Sequence, residues 1–112
     1  MKEYTVPIDI QGELSERARK FSEQLKLKYR YFPDARGKFI YLARMKPGDV
    51  FYQRLGRLTY DGDKENMKFV IFNFSSKKYD IEALLFPGFQ HLDGTIEGAL
   101  QALTEAYPRD KY

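Results

Sequence analysis

Lys28-Tyr29-Arg30-Tyr31-Phe32 places three aromatic rings among two cations, and similar interleaving runs through the first half of the chain. From Arg17 to Tyr60 there are twelve Lys and Arg against three acids, Glu23, Asp34 and Asp49, a net +9. The other residues hold seven bases and thirteen acids, a net −6, so the overall +3 conceals a sharp division. Nine of the eighteen Phe and Tyr fall in the basic stretch. Cations alternating with flat rings suit a polyanion that also presents π faces, as single-stranded nucleic acid does.

Other chemistry finds less support. His91 is the single histidine, with Asp93 two residues on. General acid–base work needs a positioned substrate and usually a partner nucleophile. Ser15, Ser22, Ser75 and Ser76 stand in no nucleophile context, so a loop histidine bonded near a helix start is the expectation. The run Asp61-Gly62-Asp63-Lys64-Glu65-Asn66 gathers oxygen ligands in one loop. A calcium loop requires glycine at its sixth position and glutamate at its twelfth, where this chain has Asn66 and Phe72. Gly94 and Gly98 lie four apart without the lysine of a phosphate-binding loop. No cysteine is present to form a disulfide, a thiolate nucleophile or a Cys-based metal site. The expectation is a protein that is not an enzyme, carries no cofactor and acts by binding.

These residues must be held by a fold, and 112 residues suffice for one core. With no repeat, low-complexity tract or linker, residues 1–112 read as a single α+β domain. The N-terminus lacks the apolar run of a signal peptide and no stretch is long enough to span a bilayer, so a cytoplasmic protein without membrane contact is expected. Residues 4–10 read as a short edge strand, because Pro7 would be tolerated only at an edge. Leu14, Ala18, Phe21 and Leu25 recur four, three and four apart, the stripe of an amphipathic helix over 13–25. Four strand-like runs follow at 27–32, 38–45, 51–60 and 67–75, joined by turn-rich separators of five or six residues. Such connections suit hairpins and are too short for parallel crossovers. Residues 76–92 read as irregular, with a short strand or turn near 83–86. A last helix opens at Asp93 or Thr95 and stops before Pro108, with Ile96, Leu100, Leu103 and Tyr107 as its stripe. The predicted architecture is an antiparallel meander of four to five strands with an N-terminal and a C-terminal helix packed on it.

Symmetric hairpins, with Phe32 opposite Lys38, Met45 opposite Phe51 and Tyr60 opposite Met67, divide the strand residues into two faces. One face collects Leu27, Tyr29, Tyr31, Phe39, Tyr41, Ala43, Met45, Phe51, Leu55, Val70, Phe72 and Phe74 and is the expected core. Gln53, Arg57, Thr59 and Lys68 interrupt it. The other face collects Lys28, Arg30, Lys38, Arg44 and Arg54 with Phe32, Tyr52 and Tyr60, beside the apolar Ile40, Leu42, Leu58, Met67, Phe69 and Ile71. A one-residue slip in any hairpin would exchange the faces of that strand.

This second face has two readings. Its bases solvate an open sheet, with the apolar half covered by Phe86 and Phe89 of the 76–92 segment or by a protein partner or second subunit. Alternatively Tyr52 and Phe32 stack on bases of a single strand while Lys28, Arg30, Lys38, Arg44 and Arg54 meet its phosphates.

Overall fold

Pro7 fixes where the first helix begins. Its φ of −61° suits a first helical turn, where a missing N–H leaves no bond unmade. Helix α1 runs over Ile8–Gln24, so residues 8–10 are its first turn and not part of an edge strand. Val6 retains one strand-like contact, its N–H donating to the Gly37 carbonyl at 3.1 Å. Leu14, Ala18 and Phe21 are buried along the expected stripe, while Leu25 lies past the helix end and is exposed. The computed structural model describes residues 5–26, 29–46, 48, 50–73, 77–80 and 85–107.

Five strands follow, β1 (Arg30–Arg36), β2 (Phe39–Met45), β3 (Gln53–Thr59), β4 (Lys68–Asn73) and β5 (Lys78–Asp80), paired antiparallel in chain order. The α+β meander therefore stands as the sequence indicated. The 81–84 segment, which includes part of the anticipated 83–86 strand or turn, lies outside the described residues. After a 3-10 turn at Phe89–His91 comes α2 (Ile96–Ala106). Its N-cap is Thr95, whose hydroxyl accepts from the Gly98 N–H at 3.1 Å. Ile96, Leu100 and Leu103 are buried with Leu14, Ala18, Phe21 and the inner sheet residues in one cluster, so both helices cover the same side of the sheet.

Which strand residues form that inner side differs from the expectation, and the first hairpin is the reason. Pro33-Asp34-Ala35-Arg36 is strand, not turn; β1 is an edge strand, where proline is tolerated. The turn is Gly37-Lys38 alone, with Gly37 at φ +61° in the position where two-residue turns call for glycine. Arg30 consequently pairs with Met45 and Arg36 with Phe39. Relative to β1, every residue of β2 is reversed from the symmetric five-residue loop. Tyr31, Pro33 and Ala35 share the helix side with Ile40, Leu42 and Arg44, whereas Phe39, Tyr41 and Ala43 point away with Phe32 and Asp34.

The β2–β3 pairing shifts between Leu42 and Ala43, leaving Leu55 as an extra, fully buried residue. That bulge returns Arg54 to the side of Ala43, away from the helices. The β3–β4 register, Thr59 opposite Lys68, matches the expected one. Ile40, Leu42, Leu58 and Ile71 are thus core, covered chiefly by the two helices. Phe86 packs against Phe69 with ring centroids 5.9 Å apart, and Phe89 remains 42% exposed.

Gly56 lies opposite Ile71, and a Cβ there would sit 2.6 Å from two carbons of the Phe69 ring. Gly56→Ala is expected to lower stability by about 1–3 kcal/mol, the usual effect of overpacking. Phe69→Leu in the same chain should restore part of the loss. Urea unfolding of the single and double variants measures both effects, and strict additivity would contradict the proposed clash.

Candidate nucleic-acid interface

The sheet face turned away from the helices carries a lattice of rings and guanidinium groups. Arg54 lies over Tyr41 at 4.4 Å, while Arg57 lies over Phe39 at 4.3 Å and Tyr79 at 5.0 Å. Lys38 reaches over Phe39 from the turn at 5.3 Å. Ring contacts carry the lattice across the strands: Tyr41 meets Tyr79 at 5.6 Å and Tyr79 meets Phe72 at 5.1 Å. At the other end Phe32 meets Tyr52 edge-on at 5.4 Å. Alternation makes these neighbours, because residues two apart on one strand and directly opposite on the next share a face.

Charge on this face is one-sided. The registers assign it Arg30, Arg36, Arg54, Arg57 and Lys68, with Asp34 the one acid among the described strand residues there. Asp34 accepts from Arg54 at 2.7 Å and from Arg36 at 3.2 Å. The bond to Asp34, opposed by desolvation, holds the Arg54 guanidinium above its usual range. Burial raises the Tyr79 phenol. The Nε atoms of Arg54 and Arg57 are buried without a hydrogen-bond partner, so these stems are held by ring contact. A guanidinium held over a ring by cation–π attraction still has outer N–H groups that can donate to an anion.

Of the six residues marked from sequence, Arg30, Lys38, Tyr52 and Arg54 gather on this face. Arg44 does not. It is 2% exposed on the helix side, donates to the Tyr107 carbonyl at 2.6 Å and lies over the Tyr29 ring at 5.0 Å. Lys28 lies outside the described residues. Phe39, Tyr41, Arg57 and Tyr79 were not marked. The symmetric registers put the first three on the core face, where Arg57, Thr59 and Lys68 stand out as polar interruptions. That polarity was the available signal that this face is open.

Two other bases of the 17–60 stretch, Arg17 and Arg19, are engaged elsewhere, as is Lys64 beyond it. Arg17 bridges α1 to the β3–β4 loop and α2, bonding Glu97 at 2.6 and 2.7 Å, Glu65 at 2.9 and 3.1 Å and Glu13 at 3.2 Å. Lys64 joins Glu13 at 2.5 Å. The acids of the 61–66 loop thus serve this network and a turn, Asp63 accepting from the Glu65 N–H. Arg19 pairs along α1 with Glu16 and Glu23. His91, in the 3-10 turn, faces Glu105 at 2.8 Å, so its bond is to the end of α2 and not to a helix start as expected. Among the described residues no group of His, Asp and Glu is arranged to hold a metal ion, and no helix is long and apolar enough to cross a membrane.

No family model matches this chain, and neither a curated protein nor a solved structure matches it at a significant level.

The Arg17 network and the α2 cap make the protein sensitive to acid. Bonding to Arg17 lowers the Glu97 carboxyl, and bonding to the Thr95 hydroxyl and N–H lowers Asp93. A depressed carboxyl contributes stability above its unfolded value, near 4, and loses it as pH falls through the folded value. The urea midpoint should therefore hold from pH 7 to about 5 and fall below pH 4. Arg17→Met should reduce stability at pH 7 by about 1 kcal/mol, the discounted scale of a partly exposed network, and flatten the acid decline. An unchanged pH profile in that variant would assign the decline to other groups.

Proposed function

We propose that this protein binds single-stranded nucleic acid across the open face of its sheet. One observation carries the reading: the face carries rings together with five strand arginines and lysines, two of them over ring faces, against the single acid Asp34 among the described strand residues. A solvated sheet face has no need of rings, and an apolar protein-binding face has no need of uncompensated arginines. Arg30, Arg57 and Lys68 have no carboxylate partner among the described residues, so their charge remains available to phosphates. Tyr52, 47% exposed beside Phe32, offers a ring edge and face at the periphery of the lattice where a base can stack. Recognition of this kind follows backbone charge and base stacking and is tolerant of sequence.

The surface also has apolar character. Val50 and Phe51, each 82% exposed, lie at the tip of the β2–β3 hairpin. Self-association through the aromatic face is therefore the competing outcome, and light scattering of the free protein distinguishes it.

Anisotropy titration with a short oligothymidylate at low salt should give a dissociation constant in the micromolar range. The logarithm of affinity should fall with log salt by about 0.7 per phosphate engaged. Tyr52→Ala should remove about 1–3 kcal/mol of binding, the range of one stacked base. Arg57→Glu should weaken binding and reduce the salt slope, whereas Asp34→Asn should tighten binding by removing the opposing charge. No retention at low salt, or a stable dimer that buries the face, would refute the reading.

A further inference from the structure

At the end of the sheet, where β1 begins, β2 ends and β3 starts, Tyr29, Arg44, Met45, Lys46, Phe51, Tyr52 and Gln53 line a cleft of about 210 Å³. Arg44 is the unusual member. A guanidinium 2% exposed would ordinarily face a carboxylate, because an uncompensated buried charge is costly. Among the described residues Arg44 meets only neutral groups: the Tyr107 carbonyl at 2.6 Å, the Gln53 amide oxygen at 3.4 Å and the Tyr29 ring. The carbonyl belongs to the C-terminal end of α2, whose partial negative charge offsets only part of a full cation. Lys46 brings a second positive charge to the same cleft, and no acid lines it among the described residues.

Two cations, one of them buried and without a counter-ion among the described residues, beside three aromatic rings make a receptor for an anion attached to something flat. The size narrows the choice. A cleft of about 210 Å³ has room for about seven waters and is smaller than the pockets that enclose whole drug-sized ligands. It suits one group at the end of a larger molecule. Tyr52 belongs to both places, lining the cleft and touching Phe32 at 5.4 Å on the open face, so a strand crossing that face arrives at the cleft mouth. We infer that the cleft receives the terminal phosphomonoester of a bound single strand, with Arg44 and Lys46 meeting the phosphate and Phe51 and Tyr52 flanking the last base. A terminal phosphate is the end group that best answers two cations, since it carries a charge near −2. This inference rests on the open-face reading, which supplies the rest of the strand.

The test compares one oligothymidylate with a 5′-phosphate, a 3′-phosphate or neither, by anisotropy at fixed salt. One phosphorylated form is expected to bind on the order of tenfold more tightly than the unphosphorylated one, the fold-change of one charge-assisted pairing. The two phosphorylated forms identify which terminus enters. Lys46→Gln, an exposed position that leaves the Arg44 contacts intact, should abolish most of the difference. Arg57→Glu should weaken all three and leave their ratio unchanged. Equal affinities for the three forms would overturn the cleft assignment while the open-face reading stands. If none of the three binds, the open-face reading falls. In that case a rise in Tm with thymidine monophosphate but not with thymidine, lost in Lys46→Gln, would support the cleft by itself, and no rise would overturn it.

Discussion

The two-residue turn at Gly37-Lys38 is the constraint from which the rest of the structure follows. It sets Arg36 opposite Phe39 and so decides, for every residue of the first hairpin, which side faces the helices. With that pairing Tyr31, Ile40 and Leu42 form a continuous apolar surface with Leu58 and Ile71, and α1 and α2 have a sheet to cover. Shifted by one residue, the helices would meet Phe39, Tyr41 and Arg57 in place of those apolar side chains. The core and the aromatic face opposite it are thus two consequences of one register. Neither can change without the other.

Covering a sheet on one side leaves the other side to water, and this chain places large rings there. Guanidinium groups make that arrangement tolerable. Arg54 over Tyr41 and Arg57 over Phe39 and Tyr79 cover ring faces with cations that remain partly hydrated. The buried, unpartnered Nε atoms of both arginines mark how closely the stems are held. A surface stabilised in this way has its cations fixed before any ligand arrives, so fewer side chains must be ordered on binding. The β-bulge at Leu55 contributes directly, because without it Arg54 would lie on the side of the helices.

Cations from one basic stretch of sequence thus reach three different environments. Arg17 lies among Glu13, Glu65 and Glu97 and joins two helices and a loop. Arg44 is buried against the end of α2, beside a cleft that holds a second cation. Arg54 and Arg57 lie over rings of an open sheet. Their surroundings, and not their shared neighbourhood in the chain, determine what each can bind. A pair already closed by carboxylates has little left for an incoming anion, whereas a guanidinium against neutral groups has most of its field available.

Local physics made much of this legible from the amino-acid order. The stripe Leu14, Ala18, Phe21 and the stripe Ile96, Leu100, Leu103 each follow from a period near 3.6, and Thr95 caps the second helix through its own hydroxyl. Short turn-rich separators were enough to establish an antiparallel meander, since they admit no crossover. Interleaved bases and rings were visible as composition. What composition could not say was which of them share a surface. That depends on Pro33 being accepted within an edge strand, on a turn of two residues in place of five, and on one extra residue at Leu55. Each moves residues between faces while hardly altering the local pattern, because a strand repeats every two residues and reads equally well in either phase. Arg44 and Arg54 looked equivalent on that account. Only pairing with neighbouring strands and packing beneath two helices separated the buried cation from the exposed one, because burial and register belong to contacts between segments and not to any segment alone.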